Sequence, residues 1–77
     1  MTKIEALLTE AERDVLDHLL EGRTNVDISK RLRLSDKTIK NHISHILAKT
    51  GFTNRLQLVV SIYKERERGL RKLLRAA

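Results

Sequence analysis

Helix start and stop signals divide this chain into short segments, and they constrain its fold more than any other feature. Thr9 followed by Glu12 has the spacing of a capping box, in which each side chain accepts a backbone N–H at the helix start. Ser35 is another favourable N-cap, and Gly22 and Gly51 can adopt the left-handed conformation that ends many helices. Two more capping pairs are Thr24 with Asp27 and Asn54 with Gln57. We therefore predict an all-α domain of four helices, starting near residues 9, 24, 35 and 54.

Apolar residues three and four positions apart give each predicted helix a face that can pack into a core. In the fourth helix there are two such stripes: Leu56, Val59, Val60 and Tyr63, and separately Leu58 and Ile62. Since a small domain has one core, we expect the first stripe to be buried and the second to be exposed to a partner. The alternative is that the second stripe covers the edge of the same core. Beyond it, Gly69 costs roughly 1 kcal/mol in a helix, so the helix either frays there or continues and lengthens an interface.

Length and composition narrow the functional classes. A chain of 77 residues forms one small domain with little room for a substrate cavity, so an enzyme is not expected. It has no cysteine, which excludes disulfides and thiolate metal sites, and it has no apolar run of about 18 residues that would span a membrane. His18, His42 and His45 lack the spacing of a metal site, and we predict no metal and no cofactor.

Positive charge is concentrated in the middle of the chain. The whole chain carries a formal net charge of +6. Residues 1–22 are acidic, whereas residues 23–55 contain eight basic and two acidic side chains and residues 64–77 contain six and two. This distribution favours an anionic partner for the second and third predicted helices.

The second and third predicted helices, joined by a tight link, form a helix-turn-helix arrangement. The third has a polar and basic outer face comprising Lys37, Lys40, Asn41, Ser44, His45 and Ala48. Such a helix fits the DNA major groove, where asparagine can pair with adenine and lysine with guanine. From these residues alone we expect Lys40, Asn41 and Ser44 to reach base edges.

A long and ordered set of motifs resembles the LuxR-type (LuxR/FixJ) helix-turn-helix domain of bacterial transcription regulators. It covers residues 8–63 and comprises Leu8-Thr9-x-x-Glu12-Arg13-x-Val15-Leu16, Gly22, Ile28-Ser29-x-x-Leu32, Ser35-x-x-Thr38-Ile39-Lys40-x-His42-x-x-x-Ile46-x-x-Lys49 and Asn54-Arg55. The resemblance implies four helices, with the third reading DNA and the fourth forming a dimer. Ser29 departs from the alanine common in that family, but it is also small.

The resemblance also implies roles for individual residues. Base contacts would fall on Lys40, Asn41 and Ser44. Phosphate contacts would fall on Lys30, Lys37, Thr38, Lys49 and Arg55. The dimer surface would comprise Leu58, Ile62 and Glu65.

We expect three parts in the chain: an N-terminal arm over 1–7, the LuxR-type domain over 8–63, and a basic helical extension over 64–77. The expected function is a stand-alone, cytoplasmic, nucleoid-associated bacterial regulator that binds double-stranded DNA as a homodimer. RNA polymerase or another LuxR-type regulator could be a further partner. Two alternatives stay open: a modulator that heterodimerises with a full-length regulator, and a sigma-factor-like promoter reader.

Overall fold

The protein consists of helices and the short links between them. A computed structural model describes residues 2–76, so Met1 and Ala77, at the outer limits of the predicted arm and extension, lie outside the described residues. The helices are α1 (Lys3–Ala6), α2 (Glu10–Leu20), α3 (Asn25–Leu32), α4 (Asp36–Thr50) and α5 (Arg55–Ala76). No strand occurs between residues 2 and 76, so the all-α prediction is confirmed. Within the same range, no helix is long and apolar enough to cross a membrane.

The predicted helix boundaries follow from local chemistry, and the structure confirms them. The Thr9 hydroxyl accepts the Glu12 N–H at 3.2 Å, and the Glu12 carboxylate accepts the Thr9 N–H at 2.9 Å. Ser35 caps α4 by accepting the Thr38 N–H at 3.1 Å. Gly22 and Gly51 have φ values of 78° and 79°, so each supplies the left-handed residue after a helix.

Helix α1 is an element that the sequence analysis did not predict. Thr2 and Glu5 form a capping box around its single turn. The turn then binds the distant α5: the Lys3 N–H donates to the Glu65 carboxylate at 3.1 Å, and Glu5 pairs with Arg66 at 2.6 Å. Lys3 and Glu5, within the stretch predicted as an arm, therefore connect α1 to α5.

Helix α5 continues without a break through Gly69 and is 22 residues long. At about 1.5 Å per residue it is about 33 Å in length, and the molecule measures 45 × 23 × 20 Å. Residues 66–76 are all exposed, so this part of the helix projects from the body. Of the two predicted outcomes at Gly69, continuation is the one observed.

One apolar core joins α2, α3, α4 and α5. Helix α4 packs on α2, α3 and α5, and α2 also contacts α5. The core residues are Leu8, Val15, Leu16, Leu19, Leu20, Ile28, Ile39, Ile43, Ile46, Leu58 and Ile62. Helix α4 thus has neighbours on its inner side along its whole length.

The prediction for the two faces of α5 was wrong. Leu58 and Ile62 have no exposed area and lie in the core, whereas Leu56, Val60 and Tyr63 are 68%, 41% and 48% exposed. Helical spacing identifies two stripes but does not say which one faces inward, because that depends on how α5 docks on α2 and α4. The Tyr63 hydroxyl donates a hydrogen bond to the Leu20 carbonyl, which fixes this side of α5 next to the end of α2.

Candidate nucleic-acid interface

Helices α3 and α4 form a helix-turn-helix unit around a short link, residues 33–35. Ile28 on α3 and Ile39 on α4 are both fully buried, so the unit is attached to the core from behind. Arg33 ends α3 in the left-handed conformation, with φ 56°, and the Leu34 N–H donates to the Ser29 carbonyl at 3.0 Å. A non-glycine residue in this conformation is uncommon, and nothing in the sequence had marked it.

Helix α4 has two faces with different chemistry. Its inner face is apolar, with Ile39, Ile43 and Ile46 at 7% exposure or less. Its outer face comprises Lys37, Lys40, Asn41, Ser44, His45 and Ala48, and all six are exposed. The predicted base-contacting residues therefore stand together on an accessible surface with no role in the core. The side chains of Lys40, Asn41 and Ser44 can donate hydrogen bonds to a ligand, and those of Asn41 and Ser44 can also accept them, without any change in the fold.

The start of α4 is pre-ordered by its cap. The hydroxyls of Ser35 and Thr38 lie 2.9 Å apart and share a hydrogen bond. Thr38 is half-buried, while Lys30 and Lys37 are exposed close to this end of the unit. The N–H groups of a helix N-terminus and nearby lysines attract anions, although Asp36 in the first turn opposes that attraction.

Lys49 lies on the side of α4 that faces α2, and it forms an ion pair there. Its ammonium is 2.6 Å from the Glu12 carboxylate, whose side chain is only 5% exposed. Burial by itself raises the pKa of the Glu12 carboxyl, but the hydrogen bonds from Lys49 and from the Thr9 N–H outweigh it, so the pKa lies below its usual value. The Lys49 side chain thereby fixes α4 to α2, a role that sequence spacing did not indicate.

Arg55 also has a structural contact. Its guanidinium donates to the Asn25 side-chain oxygen, which links the start of α5 to the start of α3. Of the five predicted phosphate-contacting residues, Lys30 and Lys37 are exposed on the surfaces of their helices. The structure thus separates the five into two exposed lysines, one threonine that is hydrogen-bonded to the Ser35 cap, and two residues that link neighbouring helices.

The histidines do not come together. His18 Nδ1 lies 2.7 Å from the Arg23 guanidinium, whereas His42 and His45 are on α4. Among residues 2–76, no group of three or more His, Cys, Asp or Glu side chains is placed to hold a metal ion.

The predicted dimer residues do not share an exposed surface. Leu58 and Ile62 are in the core, and Glu65 is half-buried with its carboxylate turned to the Lys3 N–H. Glu65 therefore serves the α1–α5 contact. The surface that α5 does expose is formed by Leu56, Val60 and Tyr63.

Comparison with known protein families gives a match over residues 6–62 to the model described as bacterial regulatory proteins, luxR family. That match includes the whole helix-turn-helix unit and the first third of α5. The chain belongs to the luxR family of bacterial regulatory proteins. The resemblance recognised in the sequence motifs is confirmed.

Individual relatives from this family are also similar over the same region. The spore germination protein GerE of Bacillus subtilis is 40% identical over 58 residues, which cover 75% of this chain and 78% of GerE. The DNA-binding transcriptional activator DevR/DosR of Mycobacterium tuberculosis is 47% identical over 53 residues, 69% of this chain and 24% of that protein. A putative HTH-type transcriptional regulator of the same species is 48% identical over 52 residues, and these span only 6% of its length.

Membership of the luxR family gives the general class of the chain. It is a domain of bacterial regulatory proteins, and the relatives that it matches are described as transcriptional regulators or activators. The family match ends at Ile62, so the remainder of α5 is not covered by it.

Proposed function

We propose that this luxR-family domain binds double-stranded DNA as a homodimer, with α4 in the major groove and the exposed side of α5 between the two copies. The observation that carries the proposal is the outer face of α4, where six polar, basic or small residues are exposed on a helix anchored by three buried isoleucines. A major groove about 12 Å wide accepts one such helix.

Three side chains on α4 are suited to reading bases. Asn41 can make two hydrogen bonds to an adenine edge, and Lys40 can donate to the acceptors of guanine. Ser44, one turn further along, can contact either a base or a phosphate. All three are exposed, and none is needed for packing.

The phosphate contacts that we propose are made by Lys30, Lys37 and Thr38, together with the N–H groups at the start of α4. Lys49 and Arg55 act mainly by holding α4 and α5 in place, because both already have partners within the domain. Contacts to phosphates release counterions, so affinity falls steeply as salt rises.

The homodimer places two α4 helices in successive major grooves, with half-sites about 10 base pairs apart. In the proposed interface, Leu56, Val60 and Tyr63 replace the buried residues that the sequence pattern favoured. RNA polymerase or another LuxR-type regulator is a further partner in this proposal, and the place of action is the bacterial nucleoid in the cytoplasm.

We expect Asn41→Ala or Lys40→Ala to lose about 1–3 kcal/mol of binding free energy at one base pair of the operator and little elsewhere, because one base-specific contact disappears. Selection of bound sequences from random duplex DNA, at two salt concentrations, first identifies the operator. Fluorescence anisotropy with operators changed at single positions then measures the loss.

Lys30→Ala is the matched control, since it removes an exposed lysine that we place against a phosphate. It should weaken binding to all sequences alike and reduce the salt dependence. An equal loss on every sequence for Asn41→Ala and Lys40→Ala would contradict base reading by α4. Absence of any enriched sequence, with tight binding to another regulator, would favour the modulator.

A further inference from the structure

Helix α5 carries a single exposed stripe along most of its length. At 100° per residue, one narrow sector contains Leu56, Val60, Tyr63, Glu67, Leu70 and Leu74. Leu70 and Leu74 are 60% and 67% exposed, and Leu73 next to them is 73% exposed. The stripe thus continues past the end of the family match at Ile62, through the part of α5 that projects from the body.

We propose that residues 67–76 form a dimerisation arm that packs antiparallel along α5 of a second copy of this chain. The proposal rests on the homodimer proposed above and adds a segment, an orientation and a set of contacts to it. Leu70 of each copy lies against Val60 of the other, and Leu74 lies against Leu56. Glu67 lies two residues from the centre of the pair, close to Tyr63 of the second copy.

The exposed area on the stripe explains why the arm is needed. Leu56, Val60 and Tyr63 alone are partly exposed, and three such side chains cover a few hundred Å² at most. Stable interfaces bury about 800 Å² per partner. Leu70 and Leu74, the two arm leucines in the stripe, are each more than half exposed, so including them adds a comparable apolar area that each copy can bury.

The arm is also an unusual helix if nothing covers it. Residues 67–76 are exposed, whereas most helical stability in proteins comes from tertiary packing of one face of the helix. Gly69 weakens this part of α5 further. Packing against a second copy supplies apolar contacts to the leucines of the stripe, while most charged side chains remain on the outside.

Charge determines the orientation. A parallel pair would place Glu67 against Glu67, and it would align two arms that each belong to a segment with six basic and two acidic residues. Like charges in these positions are destabilising. In the antiparallel pair, Glu67, which already pairs with Arg71 of its own helix at 2.7 Å, also lies beside Lys64 of the second copy, and the two basic segments point away from each other.

The antiparallel arm also meets an acidic surface. The Tyr63 hydroxyl bonds to the Leu20 carbonyl, so the C-terminal end of α2 lies next to the middle of the stripe. Asp17 and Glu21 are exposed at that end, and Glu21 also pairs with Arg23 of its own chain. A basic arm from the second copy therefore passes close to an acidic helix end, which steers the two copies into the antiparallel arrangement.

Leucine-to-glutamine variants of the 77-residue chain test the arm. Glutamine keeps a helix propensity close to that of leucine, so the change removes apolar area and not the helix. Sedimentation equilibrium without DNA should show that Leu70→Gln and Leu74→Gln each weaken the dimer by about tenfold or more. Leu7→Gln is the matched control, because Leu7 is 57% exposed and lies off the stripe, and it should leave the dimer unchanged.

Cysteine cross-linking tests the orientation, since the chain has no cysteine of its own. Val60→Cys mixed with Leu70→Cys should form a disulfide-linked dimer under mild oxidation, and neither variant should do so efficiently alone. Cross-linking of each variant with itself would overturn the antiparallel arrangement. Equal dissociation constants for Leu70→Gln, Leu7→Gln and the parent would overturn the arm.

These measurements separate the arm from the proposed function. The measurements use no DNA. If the arm variants leave the dimer unchanged, the arm is overturned, and the base contacts of α4 are still tested separately by the Asn41 and Lys40 variants. A parent chain that remains monomeric at high concentration overturns both the arm and the DNA-free homodimer.

Discussion

Leu58→Asp is expected to unfold the domain. Leu58 has no exposed area and is one of two α5 residues in the core between α2 and α4. The substitution leaves a cavity and buries a carboxylate that has no partner, and together these cost about 4 kcal/mol or more. A domain of this size has a free energy of unfolding of only about 4–12 kcal/mol, so most of its stability would be lost. Circular dichroism during urea or thermal unfolding measures the effect.

Leu56→Asp is the matched control, with the same substitution on the same helix two residues earlier. Leu56 is 68% exposed, so the single chain should unfold at nearly the same urea concentration as the parent when both are compared as monomers. The two variants together decide which side of α5 faces inward. If Leu58→Asp melted like the parent while Leu56→Asp unfolded, the observed packing of α5 would be wrong.

Lys49→Met should lower the free energy of unfolding by about 2 kcal/mol. Removing one partner of a buried ion pair costs about 3–5 kcal/mol, and we reduce that figure because the Lys49 side chain is 39% exposed. The Glu12 carboxylate would lose its ammonium partner and keep only the Thr9 N–H. Urea unfolding at pH 7 checks the value.

The control for this prediction is Glu12→Gln combined with Lys49→Met. Glutamine still caps α2, because glutamine serves at this position of a capping box as well as glutamate, and it leaves no buried charge. The double variant should therefore be more stable than Lys49→Met alone. A Lys49→Met protein with unchanged stability but uniformly weaker DNA binding would instead assign Lys49 to a phosphate.

Acid should weaken the domain through the same pair and through Glu5. Burial by itself raises the pKa of the Glu5 carboxyl, but the Thr2 N–H and Arg66 outweigh it, and its pKa, like that of Glu12, lies below the usual value. A lowered folded-state pKa contributes stability above the unfolded-state pKa of about 4.3, and that contribution is lost as pH falls below it. Glu12→Gln should flatten the decline between about pH 5 and pH 3, which urea unfolding across that range measures.

Local features of the chain were predictable from sequence, and long-range choices were not. The caps at Thr9 and Ser35 and the stops at Gly22 and Gly51 depend only on neighbours within four residues, and each was observed. The exposed face of α4 followed from periodicity, because that helix has only one strongly apolar side. The α1–α5 contact joins residues about 60 positions apart, and no local sequence pattern predicts it.

One wrong prediction and one contact that was not predicted have related causes. On α5 both stripes have helical spacing and the larger one was predicted to face the core, but Leu58 and Ile62 fill the space between α2 and α4. For Lys49 the resemblance predicts a phosphate contact, and its position on α4 also brings it within 2.6 Å of Glu12. Both cases depend on which neighbouring helix a side chain meets.

The division of α4 into two faces has a consequence for how such a regulator can change over time. Its three buried isoleucines support the fold, and its exposed Lys40, Asn41 and Ser44 contribute nothing to packing. Substitutions at those exposed positions are nearly neutral for stability, so mutations there are not filtered by folding. With base reading by α4 as proposed, a duplicated gene acquires a new set of target promoters through a few exchanges on one helix surface, while the remainder of the protein stays the same.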